Sequence, residues 1–149
     1  MRGEQPLVDS PGGKRAENIM GVVDPFGGEV HTAFTKKHTA ASVRRFIVDL
    51  FRIYRHKKKI ILVLDNAPIH HATALKKFLE RVKYKLEVIF LPPYSPELNP
   101  IERFWRFLRK KVTHNTFYET FEKFSATVRA FLEKYKTGSE EILSLCKVS

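Results

Sequence analysis

The chain has 149 residues, 43% of them hydrophobic, a formal net charge of +11 and one cysteine, Cys146. This length and apolar content suit one domain with a sizeable core, which excludes wholesale disorder, and the single cysteine excludes internal disulfides and thiolate zinc clusters. No apolar run approaches the roughly 20 residues of a membrane helix, and the first residues lack the apolar stretch of a signal peptide. We therefore expect one soluble, cytoplasmic domain over residues 1–149, with no membrane partner.

Turn residues and apolar spacing, taken in chain order, predict an α/β domain. The first seventeen residues are polar and contain Pro11-Gly12-Gly13, so we expect a loop or a ragged strand end there. Strands at 18–23 and 29–34 flank a turn sequence and form a predicted hairpin. The remaining predicted elements are an amphipathic helix at 40–54, buried strands at 60–64 and 86–91, and helices at 72–82, 100–112 and 118–135. The order β-β-α-β-α-β-α-α indicates a mixed sheet flanked by helices.

The positive charge is concentrated in two parts of the chain. Between Lys36 and Lys59 there are nine lysines and arginines against one acid, Asp49. The second cluster follows one predicted helix and consists of Arg103, Arg106, Arg109, Lys110 and Lys111. A high isoelectric point by itself serves solubility, but clustered cations favour a surface that binds a polyanion such as nucleic acid, because neutralised phosphates release their counterions.

Asp65 directly follows the predicted strand at 60–64. Sheets of the α/β class bind ligands in the crevice outside the carboxyl ends of their strands, so a carboxylate at this position is a candidate functional group. Aspartate also leaves a strand by accepting hydrogen bonds from nearby backbone, and such an Asx turn is the structural alternative.

Glu102 lies at the start of the predicted helix at 100–112, after a segment that holds four of the chain's eight prolines. Helix capping would explain it, because Asn99 suits the N-cap, Pro100 suits the first helical position and Glu102 then closes a capping box. The prolines also stiffen the approach and fix the direction of the first helical turn, which the positioning of a metal ligand would require.

Together the two carboxylates suggest metal-dependent chemistry. Mg²⁺ prefers carboxylate oxygens, and two such ions roughly 3.5–4 Å apart can activate a water or a 3′-hydroxyl for attack on a phosphodiester. A basic surface would hold the DNA for that reaction. Zinc hydrolysis fits less well, because His70 and His71 are adjacent and the chain contains no HExxH segment.

Two segments resemble a known family. They are Asp65-Asn66-Ala67-Pro68-Ile69-His70 and Leu91-Pro92-Pro93-Tyr94-Ser95-Pro96-Glu97-Leu98-Asn99-Pro100-Ile101-Glu102, and 36 residues separate Asp65 from Glu102. This pair of segments resembles the IS630/Tc1/mariner group of DDE transposases. The resemblance implies an RNase H-like fold, Mg²⁺ or Mn²⁺ as cofactor, DNA as partner and cut-and-paste strand transfer, with Asp65 as the second catalytic acid and Glu102 as the third.

Neighbouring residues have predicted roles as well. His70 matches the family motif and would help to position DNA or the surroundings of the metal, although a polar residue that starts a helix is the structural alternative. Asn66 would contact the metal ligands without binding the metal itself, or it would form a turn. Arg103, Arg106 and Lys110 would contact DNA phosphates, unless they form a solvated helix face.

One feature of the family is missing from the sequence. The family's first catalytic Asp lies on the opening strand, upstream of the hairpin, and no predicted strand precedes the hairpin here. Asp9 lies in a Pro-Gly-Gly loop and Asp24 in the hairpin turn, so neither is a convincing replacement. We therefore expect the C-terminal portion of a transposase catalytic domain that lacks its first strand, with an upstream transposase polypeptide as a partner.

Loss of a central strand would expose backbone edges that invite pairing with another chain, so we expect a homodimer or a strand-swapped assembly.

Two functions remain open. The chain is either a metal-dependent DNA endonuclease and strand transferase or a catalytically incomplete remnant that binds nucleic acid or self-associates without cutting. A basic RNA-binding protein would explain the charge but not the paired acidic motifs.

Overall fold

A six-stranded sheet organises the computed structural model, which describes residues 2–4, 7–9 and 16–147, with side chains from residue 18 onward. The strands are β1 (Arg2–Glu4), β2 (Leu7–Asp9), β3 (Ala16–Val23), β4 (Val30–Phe34), β5 (Ile60–Leu64) and β6 (Leu86–Phe90). β3 is antiparallel to β4 and to β1, whereas β1, β5 and β6 are parallel to one another. β2 continues the register of β1 along β3, so the two short strands form one interrupted ladder. The predicted mixed sheet is confirmed.

The sheet has a strand at the position where we expected none. β1 lies between β3 and β5, with Gly3 opposite Val22 on one side and Leu64 on the other. Backbone groups of two central strands need partners, and a polar segment can supply them because the ladder uses no side chains. A short strand therefore occupies the central position where we expected a gap, whereas the truncation of the domain and its self-association stay predictions. Asp9 lies in β2, not in a loop.

Within the described residues, five helices cover the sheet: α1 (Ala40–Ile53), α2 (Thr73–Arg81), α3 (Pro100–Leu108), α4 (Phe121–Lys134) and α5 (Glu140–Cys146). The first four match the predicted helices to within a few residues. A π-helical turn over Arg109–Thr113 continues α3, and short 3₁₀ turns precede α2 and α3. None of the helices in the part of the chain that the structure describes is long and apolar enough to cross a membrane.

The core has two parts, one on each face of the sheet. α1 and α2 bury Phe46, Leu50 and Leu75 against one face, while α3, α4 and α5 pack on the other face around Phe104 and Trp105. These inward positions follow from the helical spacing of apolar residues in the sequence. The sheet therefore holds α3, which carries Glu102, on the opposite side from the basic helix α1.

Gly21 allows α3 to approach the sheet closely. A Cβ atom at this position would lie 2.7 Å from Cζ2 and 2.8 Å from Cη2 of Trp105, and the Trp105 side chain is 0% exposed. The indole ring thus rests directly on the backbone of β3, and this contact fixes the height of α3 above the sheet.

The strands β5 and β6 are less buried than predicted. Ile61 on β5 is 49% exposed and Ile89 on β6 is 46% exposed, although both strands were expected to be buried on both faces. β6 lies at the edge of the sheet, and one face of the β5–β6 pair has little cover from the described helices. A short apolar run has the same appearance in sequence whether one face or both are covered.

Candidate active site

Asp65 leaves the carboxyl end of β5 in a turn that fixes its side chain. Its Oδ1 accepts a hydrogen bond from the Ala67 backbone N–H at 3.0 Å, which is the Asx turn that the sequence allowed. The Nδ1 of His70 lies 3.0 Å from the same Oδ1 and 3.1 Å from the Asp65 carbonyl oxygen. The turn and the functional interpretation are therefore compatible, because the turn holds the carboxylate at the strand end.

His70 is an interior residue. Its side chain is 3% exposed, and its Nδ1 is directed at Asp65. A ring this deeply buried offers no surface to a DNA phosphate. Of the two roles considered for His70, positioning the surroundings of the metal fits the structure, whereas direct DNA contact does not.

Glu102 lies in the first turn of α3, whose start is fixed by Asn99. The Asn99 side chain is buried, and its Oδ1 accepts a hydrogen bond from the Ile101 backbone N–H at 3.4 Å. Pro100 occupies the first helical turn as predicted. Before the helix the chain turns sharply at Tyr94, whose φ of 57° is unusual for a residue with a side chain.

Asp65 and Glu102 line the same cleft, of about 210 Å³. Asn66, Asn99 and Tyr94 also line it, and Tyr94 at the rim is fully exposed. The Nδ2 atom of Asn99 is buried and has no hydrogen-bond partner among the described residues. Two carboxylates attract a hydrated divalent cation, and a water bound to that cation can accept a hydrogen bond from the unsatisfied amide, so the residues present fit a divalent metal site.

The side chains that the structure describes contain no group of three or more His, Cys, Asp or Glu residues that could hold a metal. The backbone of β1 nevertheless places a further acid nearby. β1 and β5 are parallel, and Glu4 is the last residue of β1. Because the carboxyl ends of parallel strands meet at one edge of a sheet, Glu4 lies at the edge where Asp65 follows β5.

Asp24 has a structural role, as the sequence indicated. Its Oδ1 accepts hydrogen bonds from the backbone N–H groups of Phe26 at 2.9 Å and Gly27 at 3.2 Å. Gly28, with a φ of 74°, completes this hairpin turn in a conformation that favours glycine. The carboxylate of Asp24 is therefore committed to the turn between β3 and β4.

Asn66 is tied to the edge strand by a residue that the sequence left without a role. Its Oδ1 lies 2.6 Å from Nε2 of His71, and the His71 ring stacks on Phe90 of β6 at 4.5 Å between centroids. Asn66 is itself exposed and lines the cleft. The two adjacent histidines, whose spacing argued against zinc hydrolysis, thus have different partners: His70 contacts Asp65, and His71 contacts Asn66.

The three predicted DNA-contacting cations on α3 and its continuation differ in position. Arg103 donates from Nη1 to the Leu145 carbonyl at 3.1 Å and from Nη2 to the Glu97 carbonyl at 2.8 Å. It links the loop before α3 to α5, so its predicted phosphate contact does not fit. Arg106 and Lys110 are exposed and remain available to a ligand.

Comparison with known proteins identifies the family. A family model described as "DDE superfamily endonuclease" matches residues 1–125. The insertion element IS630 uncharacterized 39 kDa protein of Shigella sonnei is 29% identical over 133 residues, which cover 89% of this chain and 38% of that protein. Uncharacterized protein y4pE/y4sA of Sinorhizobium fredii is 28% identical over 104 residues, or 70% of this chain and 73% of that protein. The chain thus spans well under half of its IS630 relative.

Solved structures give the fold. The crystal structure of the catalytic domain of Mos1 mariner transposase has a TM-score of 0.72 at 17% identity and covers 97% of this chain and 74% of its own. A structure of the same domain with raltegravir and Mn gives 0.69 at 18% identity, covering 95% and 72%, and the Mos1 paired-end complex with left transposon end gives 0.73 at 18%, covering 97% and 50%. The predicted RNase H-like fold is confirmed. The chain belongs to the DDE superfamily of endonucleases.

Proposed function

We propose that this chain carries the divalent-metal site of a DNA endonuclease and strand transferase, in which Asp65 and Glu102 hold Mg²⁺ or Mn²⁺. The observation that supports the proposal is the shared cleft, which is lined by two carboxylates that 36 residues separate in the sequence. Carboxylate oxygens suit these hard cations, which retain part of their water shell. Structures of the Mos1 catalytic domain with Mg and with Mn are consistent with this choice of metal.

Bound metal would supply the Lewis acidity that activates a water or a 3′-hydroxyl and stabilises the leaving oxygen of a phosphodiester. The residues of the chain orient that chemistry. His70 donates from Nδ1 to Asp65 and holds the carboxylate at the end of β5. Asn99 starts α3 beside the cleft, and the positive end of a helix dipole favours an anion there.

DNA would reach the cleft from the side of α3. Arg106 and Lys110 are exposed on the helix and the π-helical turn that follow Glu102, and they supply cations for phosphate contacts. The basic stretch between Lys36 and Lys59 runs along and beyond α1, which packs on the opposite sheet face. We therefore assign the phosphate contacts nearest the metal to the α3 cations alone.

The test is a nicking assay with labelled duplex DNA and Mn²⁺ at low salt. We expect the chain to bind and nick DNA, and expect Asp65→Asn and Glu102→Gln to reduce nicking to background. Glu97→Gln is the matched control, because Glu97 is exposed in the same proline-rich segment and is not among the residues that line the cleft. Nicking that survives Asp65→Asn, or a lack of DNA binding at low salt, would contradict the proposal.

Two partner proposals accompany this one. Because the chain spans 38% of the length of its IS630 relative, an upstream transposase polypeptide is the natural addition to the assay, and nicking that requires it would assign the remaining metal ligand to that polypeptide. A homodimer would have to pair through the sheet edges at β4 or β6. Light scattering at micromolar concentration tests it, and a monomer would contradict it.

A further inference from the structure

Two segments at one edge of the sheet carry an excess of positive charge. α1 ends at Ile53 and α2 ends at Arg81, and each helix is followed by a turn that leads into the amino end of a parallel strand, β5 or β6. Residues 52–59 and 81–85 span these two helix ends and turns, and they contain eight lysines and arginines and no acid. We call these two segments together the basic edge.

Hydrogen bonds hold the two turns of the basic edge side by side. The Ile60 backbone N–H donates to the Lys85 carbonyl oxygen at 2.8 Å, and Lys85 Nζ donates to the Lys57 carbonyl oxygen. Tyr84, which lies between two lysines in the second turn, has a side chain that is 78% exposed. The cations of the two segments therefore belong to one surface, with an exposed aromatic hydroxyl among them.

Neighbouring acids neutralise only part of this charge. The described ion pairs that reach the basic edge are Asp49–Arg52, Glu80–Lys83 and Glu87–Lys59. Cations stabilise the end of a helix, but that effect is confined to the last turn, and Lys57 and Lys58 lie beyond the end of α1. Like charges gathered on one surface repel one another and destabilise the folded chain. A bound polyanion would remove that repulsion.

The basic edge is remote from the metal cleft. Lys59 directly precedes β5 and Asp65 directly follows it, so the whole length of the strand lies between them. At a rise of roughly 3.3 Å per residue, the two positions are about 20 Å apart. α3, which carries Arg106, also packs on the sheet face opposite α1 and α2. The phosphate contacts assigned to α3 and any contacts at the basic edge therefore belong to different surfaces.

We propose that the basic edge is a second DNA-binding surface, which holds the sugar–phosphate backbone of a duplex away from the metal cleft. Its exposed cations neutralise phosphates and release their counterions, and the Tyr84 hydroxyl can donate to a phosphate oxygen. The choice of DNA as the polyanion rests on the proposed function, whereas binding at the basic edge needs no metal. Phosphate contacts carry no base sequence, so this surface holds the duplex and does not select a site.

The edge variant combines Arg55→Gln, Lys58→Gln and Arg81→Gln. These three side chains are exposed and lie outside the described ion pairs, so their replacement should leave the fold intact. Each phosphate contact contributes about 0.9 to the slope of log affinity against log salt concentration. With a duplex of about one helical turn and no metal, we expect this slope to become shallower by about 2–3 in the edge variant.

The control variant combines Lys123→Gln, Lys134→Gln and Lys136→Gln. These substitutions lower the net charge by the same amount at exposed positions on and just after α4, which packs on the sheet face opposite α1 and α2. The slope should change by less than about 1 in this variant. An equal change of slope in the two variants would overturn the proposal, because net charge alone would then explain the binding.

Amide NMR of the metal-free protein locates the contact. The duplex should shift the amide resonances of residues 52–59 and 81–85 in the wild type, and the edge variant should lose these shifts while it keeps those around Arg106. Shifts confined to α3 and the cleft would overturn the proposal, and so would a lack of DNA binding at low salt.

Mn²⁺ titration and the nicking assay judge the proposed function separately. If the wild type binds no Mn²⁺ but the duplex shifts the amides of the basic edge, the metal site fails and the second surface stands. If the wild type nicks DNA but the basic edge shows no shifts, the second surface fails and the proposed function stands.

Discussion

Replacing Gly21 by alanine tests how closely α3 is held against the sheet. The new Cβ would lie 2.7 Å from the Trp105 ring, whereas ordinary van der Waals contact begins near 3.4 Å, and Thr32 Cγ2 would be 3.3 Å away on another side. The indole is 0% exposed, so it has no open space into which it can move. The position therefore cannot accept a side chain without displacing the helix that carries Glu102.

The expected cost follows from two opposing effects. Overpacking of a filled core costs about 1–3 kcal/mol, and replacing glycine in a strand interior returns about 0.5–1 kcal/mol of backbone entropy. We expect Gly21→Ala to lower the free energy of unfolding by about 1–2 kcal/mol, which corresponds to a fall in Tm of about 2–8 °C in a protein of this size. Because Trp105 and Glu102 share α3, Mn²⁺ affinity should fall as well.

Urea unfolding followed by far-UV circular dichroism measures this cost in a double-mutant cycle. The four proteins are the wild type, Gly21→Ala, Trp105→Phe and the double variant. A phenylalanine removes the two ring atoms that the Cβ would meet, so the cost of Gly21→Ala should largely disappear in that background. A Gly21→Ala protein as stable as the wild type, or an equal loss in both backgrounds, would refute the reasoning.

Three further predictions concern the site and its support. Glu4→Gln should weaken Mn²⁺ binding and nicking, because Glu4 ends β1 at the sheet edge where Asp65 follows the parallel strand β5, while Asp9→Asn on β2 should change neither. Equal behaviour of the two variants would assign the remaining ligand to another polypeptide. Arg103→Ala should lower the free energy of unfolding by about 1–3 kcal/mol and speed amide exchange in α5, because both of its carbonyl contacts are lost. Arg103→Lys, with one ammonium, should restore only part of the loss. Unchanged amide exchange in Arg103→Ala would contradict the link to α5. Burial, reinforced by the Glu29 carboxylate that accepts its hydrogen bond at 3.1 Å, raises the pKa of Tyr54 well above 10.0. The folded protein therefore keeps this proton where the unfolded chain loses it, so stability should fall as pH rises past about 10, and Tyr54→Phe should flatten the alkaline side of a pH–stability curve; an unchanged slope would contradict the assignment.

The helices and the meeting of the two acids could be predicted from the sequence because their causes are local. Helical spacing identified the buried face of α3, and the strand-end position of Asp65 with the proline-guided approach to Glu102 indicated one site. β1 could not be predicted, because its residues show no apolar pattern and its place depends on backbone pairing with β3 and β5. The role of Arg103 depends on a carbonyl 42 residues away, and the burial of His70 depends on helices that no local pattern places beside it.

The β5–β6 edge has a consequence for how DNA binding can be measured. β6 ends its sheet with Ile89 and Phe90 partly exposed, and an open edge of this kind is a template for pairing with a second molecule. Its protection is electrostatic, since Glu87 on the strand is paired with Lys59 at 3.6 Å and the chain as a whole repels its copies with a charge of +11. Added salt, the usual means of resolving phosphate contacts, screens both effects. Raising the salt concentration in a DNA-binding experiment therefore also favours association between copies of the protein. Particle size must be recorded at every salt concentration.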